Sequence, residues 1–137
     1  MNPEVKIIIY EEKNILKNLL DLLDEQYECV INKDIMKMDK IASKLDETSK
    51  ELAKIEIRRR NIMGNEVSMR EVVELCDDEN IKSAYDEIVS NIRMIEIQKE
   101  ANNTLIKQRL FFTRKMINAI KPSKNIGVYD SYGKIGK

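Results

Sequence analysis

Apolar residues recur every seven positions along most of this chain, and that spacing restricts it to long helices. Ile8, Ile15, Leu22 and Cys29 form one row. Ile9, Leu16, Leu23 and Val30 form its neighbour, with Leu19 and Tyr27 between them. Two adjacent rows of this period make a wide apolar stripe on one helix. A β fold would need alternation of period two and a turn signal every few residues. The chain of 137 residues holds only four Gly and two Pro, too few to punctuate such a fold.

The helix limits follow from local signals. Asn2-Pro3 starts a first helix over about 3–31, with Asn2 as N-cap and Pro3 where its missing N–H costs nothing. Asn32-Lys33-Asp34 is the best break after it, with Asn32 adopting the left-handed conformation and Asp34 capping the next helix. The alternative is one continuous helix of about 60 residues, roughly 90 Å long. The second helix, about 34–63, carries Met38, Leu45 and Leu52 on one seam and Ile41, Thr48, Ile55 and Ile62 on the other. Gly64-Asn65 ends it. Ser68-Met69-Arg70-Glu71 is a capping box in which the Glu71 side chain would reach back to the Ser68 backbone N–H. It opens a short helix over about 68–76, with Val72, Val73 and Leu75 as its apolar residues. Asp77-Asp78 caps a last helix over about 78–120, ended by Lys121-Pro122. Its stripe includes Ile81, Tyr85, Ile88, Ile92, Ile95, Ile106, Leu110 and Ile117. The expected fold is all-α: an elongated antiparallel coiled-coil-like bundle of three long helices and one short one. It forms a helical bundle domain over 1–121, followed by a flexible C-terminal tail over 122–137.

Several chemistries are improbable from composition. There is no His, which removes Ser-His-Asp and Cys-His machinery and His-containing zinc sites. Cys29 and Cys76 form no CxxC motif and read as free thiols. No phosphate loop, metal-ligand spacing or nucleophile elbow is present, so no enzymatic activity, cofactor or metal is expected. No secretory signal is visible and no apolar run approaches a membrane span, so the expected location is the cytoplasm. Arg58-Arg59-Arg60 lies at the end of the second helix, where cations complement the helix dipole.

Two features of the last helix stand out. The first is a polar gap between Ile95 and Ile106, where the seam falls on Lys99, Asn102 and Asn103. A buried Asn102 would fix helix register, and an exposed one would face a partner. The second is length. At 1.5 Å per residue the last helix spans about 64 Å, against about 45 Å for each of the first two. It should overhang them by about 13 residues. That stretch, about Lys107 to Ile120, holds Leu110, Phe111, Phe112, Met116, Ile117 and Ile120. An exposed apolar stripe of this kind invites another protein's helix, unless the short helix or a second copy of the chain covers it. Leu105, Phe112 and Ala119 form one row of it and Ile106, Leu110 and Ile117 the next. The stripe coincides with a shift in charge. The formal net charge is zero, yet residues 101–137 hold eight basic side chains and one acidic one. Such a basic end suits an acidic protein surface, an anionic membrane or a nucleic acid.

The order of features resembles the FlgN family of flagellar export chaperones. Leu19-Leu20-Asp21-Leu22-Leu23-Asp24-Glu25 lies in the first helix. Asp34 opens the second, with heptads through Lys44-Leu45 and Leu52 to Arg58. Asn102-Asn103-Thr104-Leu105-Ile106 lies in the last helix and Tyr129-Asp130-Ser131-Tyr132-Gly133-Lys134 beyond it. The resemblance implies a cytoplasmic chaperone without ATPase activity. It would hold the C-terminal helical segments of the hook–filament junction proteins, hook-associated proteins 1 and 3, prevent their premature assembly and deliver them to the type III export gate. Carried onto this chain, client binding falls on Asn102, Leu105, Ile106, Arg109, Leu110, Phe112, Met116, Ile117 and Ile120. Tyr129 becomes the expected contact with the export gate protein FlhA. No nucleic-acid binding or membrane insertion is expected, and a homodimer is left open. The competing reading is a homo-oligomeric coiled-coil scaffold whose basic end touches membrane or nucleic acid.

Overall fold

The computed structural model describes residues 1–120. They form four helices: α1 (Pro3–Asn32), α2 (Ile35–Met63), α3 (Met69–Glu74) and α4 (Glu79–Ile120). No strand occurs among the described residues, and the architecture is an all-α bundle with three long helices and one short. Tyr129 and the tail expected over 122–137 lie outside the described residues. The described residues divide into two units after Asn102, and α4 is continuous through the division.

Each helix of the first unit is bounded by chemistry its own sequence supplies. The Asn2 side chain accepts from the Glu4 N–H at 2.8 Å and Pro3 opens α1. At the other end it is Lys33, not Asn32, that turns left-handed (φ 57°), so α1 runs one residue further than its composition suggests. Two hydrogen bonds account for this: Lys33 N–H donates to the Val30 carbonyl and Asp34 N–H to the Cys29 carbonyl. That pair of bonds satisfies the carbonyls at the helix end, and it offsets the strain of a left-handed Lys. Asp34 then caps α2 by accepting from Lys37 N–H. The helical hairpin is therefore broken at 33–34 rather than continuous. Ser68 caps α3 through Glu71 N–H, but the Glu71 carboxylate accepts from the Ser68 hydroxyl and not from its backbone. Asp78 caps α4 by accepting from the N–H groups of Asn80 and Ile81.

Two cross-links along α1 give the helix directions within this unit. The Lys6 ammonium donates to the Asp78 carboxylate at 3.1 Å, just ahead of α4. Near the far end of α1, the Leu23 carbonyl accepts from Asn102 of α4. Both helices therefore advance together, and α1 and α4 are parallel. The tight turn at 33–34 makes α2 antiparallel to α1, and an ion pair joins Arg58 to Glu11 across them. The unit follows an up-down-up path.

Its main core gathers Val5, Ile9 and Leu16 of α1, Val73 of α3, and Ile81, Ala84 and Ile88 of α4. Leu52, Ile62 and Met63 of α2 pack against it. On α2 the row Ile41, Thr48 and Ile55 is buried, while Met38, Leu45 and Leu52 are half-buried. Two of the expected apolar contacts are absent. Leu75 falls just past the end of α3 and is 86% exposed, and Ile92 turns to the surface of α4. Val73 anchors α3, with Met69 packed beside it against the core.

Gly64 ends α2 with φ 80° and ψ 178°, a conformation open almost only to glycine. A Cβ there would meet nothing within 4 Å, so a substitution would be resisted by the backbone alone. Gly64→Ala is expected to lower unfolding stability by about 1–3 kcal/mol, read from a urea transition, without changing helix content.

Candidate protein-binding surface

Residues 103–120 continue α4 with no fully buried side chain. Leu105, Ile106 and Arg109 are half-buried. Leu110, Phe112, Met116, Ile117 and Ile120 are exposed, Phe112 to 61%. At 100° per residue these side chains share one side of the helix. Leu105, Phe112, Met116 and Ala119 form one margin of the stripe, and Ile106, Leu110 and Ile117 the other, with Ile120 midway. Arg109 and Thr113 lie between them. The Thr113 hydroxyl is satisfied locally, donating to the Arg109 carbonyl at 2.9 Å. The stripe is thus an apolar strip on a regular helix, suited to receiving another amphipathic helix by side-chain interdigitation.

The two adjacent phenylalanines part company here. Phe111 points to the opposite side of the helix from the stripe's centre, where the Lys115 ammonium sits 5.1 Å from its ring centroid. Phe111 therefore belongs to the cationic side of this segment and not to the strip.

Asn102 is placed elsewhere than on such a surface. It is 1% exposed, within the Met1–Asn102 unit. Its Nδ2 donates to the Leu23 carbonyl and to Gln26 Oε1, both at 2.8 Å, and its Oδ1 accepts from Gln98 Nε2 at 2.9 Å. Its amide is enclosed and its donors and acceptor are satisfied within the Met1–Asn102 unit. Of the two sequence-level readings, the structure supports the register-fixing one.

The ion-pair layout of the first unit departs from the simplest reading of the arginine cluster. Arg58 pairs with Glu11 of α1, and Arg59 donates to Glu56 through Nε and Nη2. Only Arg60 stands in the last turn of α2, where a dipole role suffices. Beside these, Glu12 was not foreseen. Its Oε1 is buried without a hydrogen-bond partner. Burial pushes its carboxyl above the usual range and the nearby Glu56 pushes it further, against the opposing pull of Arg59. Asp78 shows the reverse: its hydrogen bond from Lys6, helped by the Ile81 N–H, holds it below its ordinary value. Among the described residues, no group of three His, Cys, Asp or Glu side chains is arranged to hold a metal ion.

Comparison with known proteins gives one match. The model of a family described as FlgN protein matches residues 1–136. No curated protein and no solved structure matches the chain.

Two substitutions test the geometry. Asn102→Ala strands the Gln26 and Gln98 side chains and should cost about 1–3 kcal/mol in a urea transition. Glu12→Gln should act in the opposite direction. Because the folded carboxyl is raised above its ordinary 4.5, its favourable contribution is complete below that pH and is lost as pH rises through the folded value. The amide removes that loss, so the variant should exceed the native chain in stability at pH 7, and by less at pH 4, read from urea transitions at the two pH values.

Proposed function

The chain belongs to the FlgN family of flagellar export chaperones, and on that footing we propose that its clients are the C-terminal helical segments of hook-associated proteins 1 and 3. The carrying observation is the apolar strip on residues 103–120 of α4, exposed from Leu110 to Ile120. Leu105, Ile106, Arg109, Leu110, Phe112, Met116, Ile117 and Ile120 form the proposed binding face. A client helix laid along it buries the same kind of residues that would otherwise drive its own assembly, and so stays unassembled until export. Each large side chain covered contributes about 1.5–3 kcal/mol. Association consumes much of that sum, which places affinity in the micromolar to nanomolar range. Reversible binding of this strength suits a carrier that must release its cargo. Delivery to the export gate protein FlhA is proposed to use Tyr129, which lies outside the described residues. The chaperone is proposed to act in the cytoplasm, and no described helix is long and apolar enough to cross a membrane.

Phe112 is exposed and makes no contribution to the core, so a charge can be placed there without unfolding the bundle. Phe112→Asp is expected to abolish co-purification of hook-associated proteins 1 and 3, with helicity by circular dichroism near that of the native chain. Retained client binding by a folded variant would refute the proposed face. Binding should also survive moderate salt, whereas a nucleic-acid contact would weaken steeply.

A further inference from the structure

Residues 103–120 carry four cations, Lys107, Arg109, Arg114 and Lys115, and no anion. Their placement is ordered. Projected along the helix, Lys107 and Arg114 follow the Leu110/Ile117 margin of the strip, and Lys115 lies beyond the Phe112 margin. The Lys115 head is further held by the Phe111 ring. Both edges of the apolar strip are therefore positive. In paired helices such edge positions meet the edges of the partner and select it by charge.

We propose that this face selects an acidic amphipathic helix, one bearing Asp or Glu along both edges of its own apolar stripe. The proposal rests on the client-binding reading above and adds to it the chemistry of the client. A second copy of the same segment is a poor occupant, because it would bring cations against cations on both edges with no anion between them. An acidic partner instead gains attraction at the edges and faster encounter at low salt.

Two synthetic amphipathic peptides with one shared Leu/Ile stripe, one edged by Glu and one by Lys, would be titrated onto the full chain by fluorescence anisotropy. At about 50 mM salt the Glu-edged peptide is expected to bind at least about ten-fold tighter, with the ratio shrinking as salt rises. Phe112→Asp should abolish that binding, which locates it on the strip. The triple variant Lys107→Glu, Arg114→Glu, Lys115→Glu, checked for unchanged helicity, should reverse the preference. Equal affinity for the two peptides would overturn the charge rule while leaving the binding face standing. Failure of both peptides to bind would overturn the face itself. Sedimentation of the native chain as a dimer that Phe112→Asp dissociates would overturn the exclusion of a second copy.

Discussion

The amide of Asn102 holds α4 in place against α1, and much else in the molecule follows from that. Rows of Ile and Leu bring helices together but say little about register, since an apolar row slid by one heptad meets another apolar row. Asn102 removes that freedom. Its two donors reach Leu23 and Gln26, and a shifted α4 would bury the amide without partners. Lys6 and Asp78 repeat the constraint at the other end of the same helix pair. Between these points Ile81, Ala84 and Ile88 meet Val5, Ile9 and Leu16. Asn102 is also the last fully buried residue of α4, so the residue that fixes the register also marks where the exposed strip begins.

Features that depend on adjacent residues were legible in the sequence. Asn2, Asp34, Ser68 and Gly64 act at the helix ends their chemistry suits, because capping needs only a side chain and the next turn. The left-handed residue at the hairpin lies one position beyond the one propensity favours. Propensity favours Asn32, whereas the carbonyls of Cys29 and Val30 settle on Lys33 and Asp34. Leu75 and Ile92 show the limit of hydrophobicity as a guide to burial, since helix termination and facing decide it. The polar gap announced Asn102, but its partners lie 79 and 76 positions away, and only the fold brings them together. Glu12 does carry a signal, because helical spacing sets it on the same face as Ile8, Ile9 and Leu16. What the local sequence does not show is that α2 brings Glu56 and Arg59 beside it.

The zero net charge conceals a division of labour. Residues 1–100 carry an excess of seven acidic side chains and residues 101–137 an equal excess of basic ones. In the first unit, acids and bases are used to fasten helices, as in Lys6–Asp78 and Arg58–Glu11. In residues 103–120, the bases have no acids beside them in sequence. The same side-chain types thus serve cohesion in one part and selection in the other.

The continuity of α4 has a kinetic consequence. An isolated peptide of 18 residues must form its first helical turn at a cost of about 4 kcal/mol, from a nucleation constant of about 0.001. Residues 103–120 never face that step, because the turns before Asn102 are already locked by the core and each later residue only propagates them. The strip is thereby a template of set helical phase. An incoming segment can then grow its own helix turn by turn along a partner that is already wound.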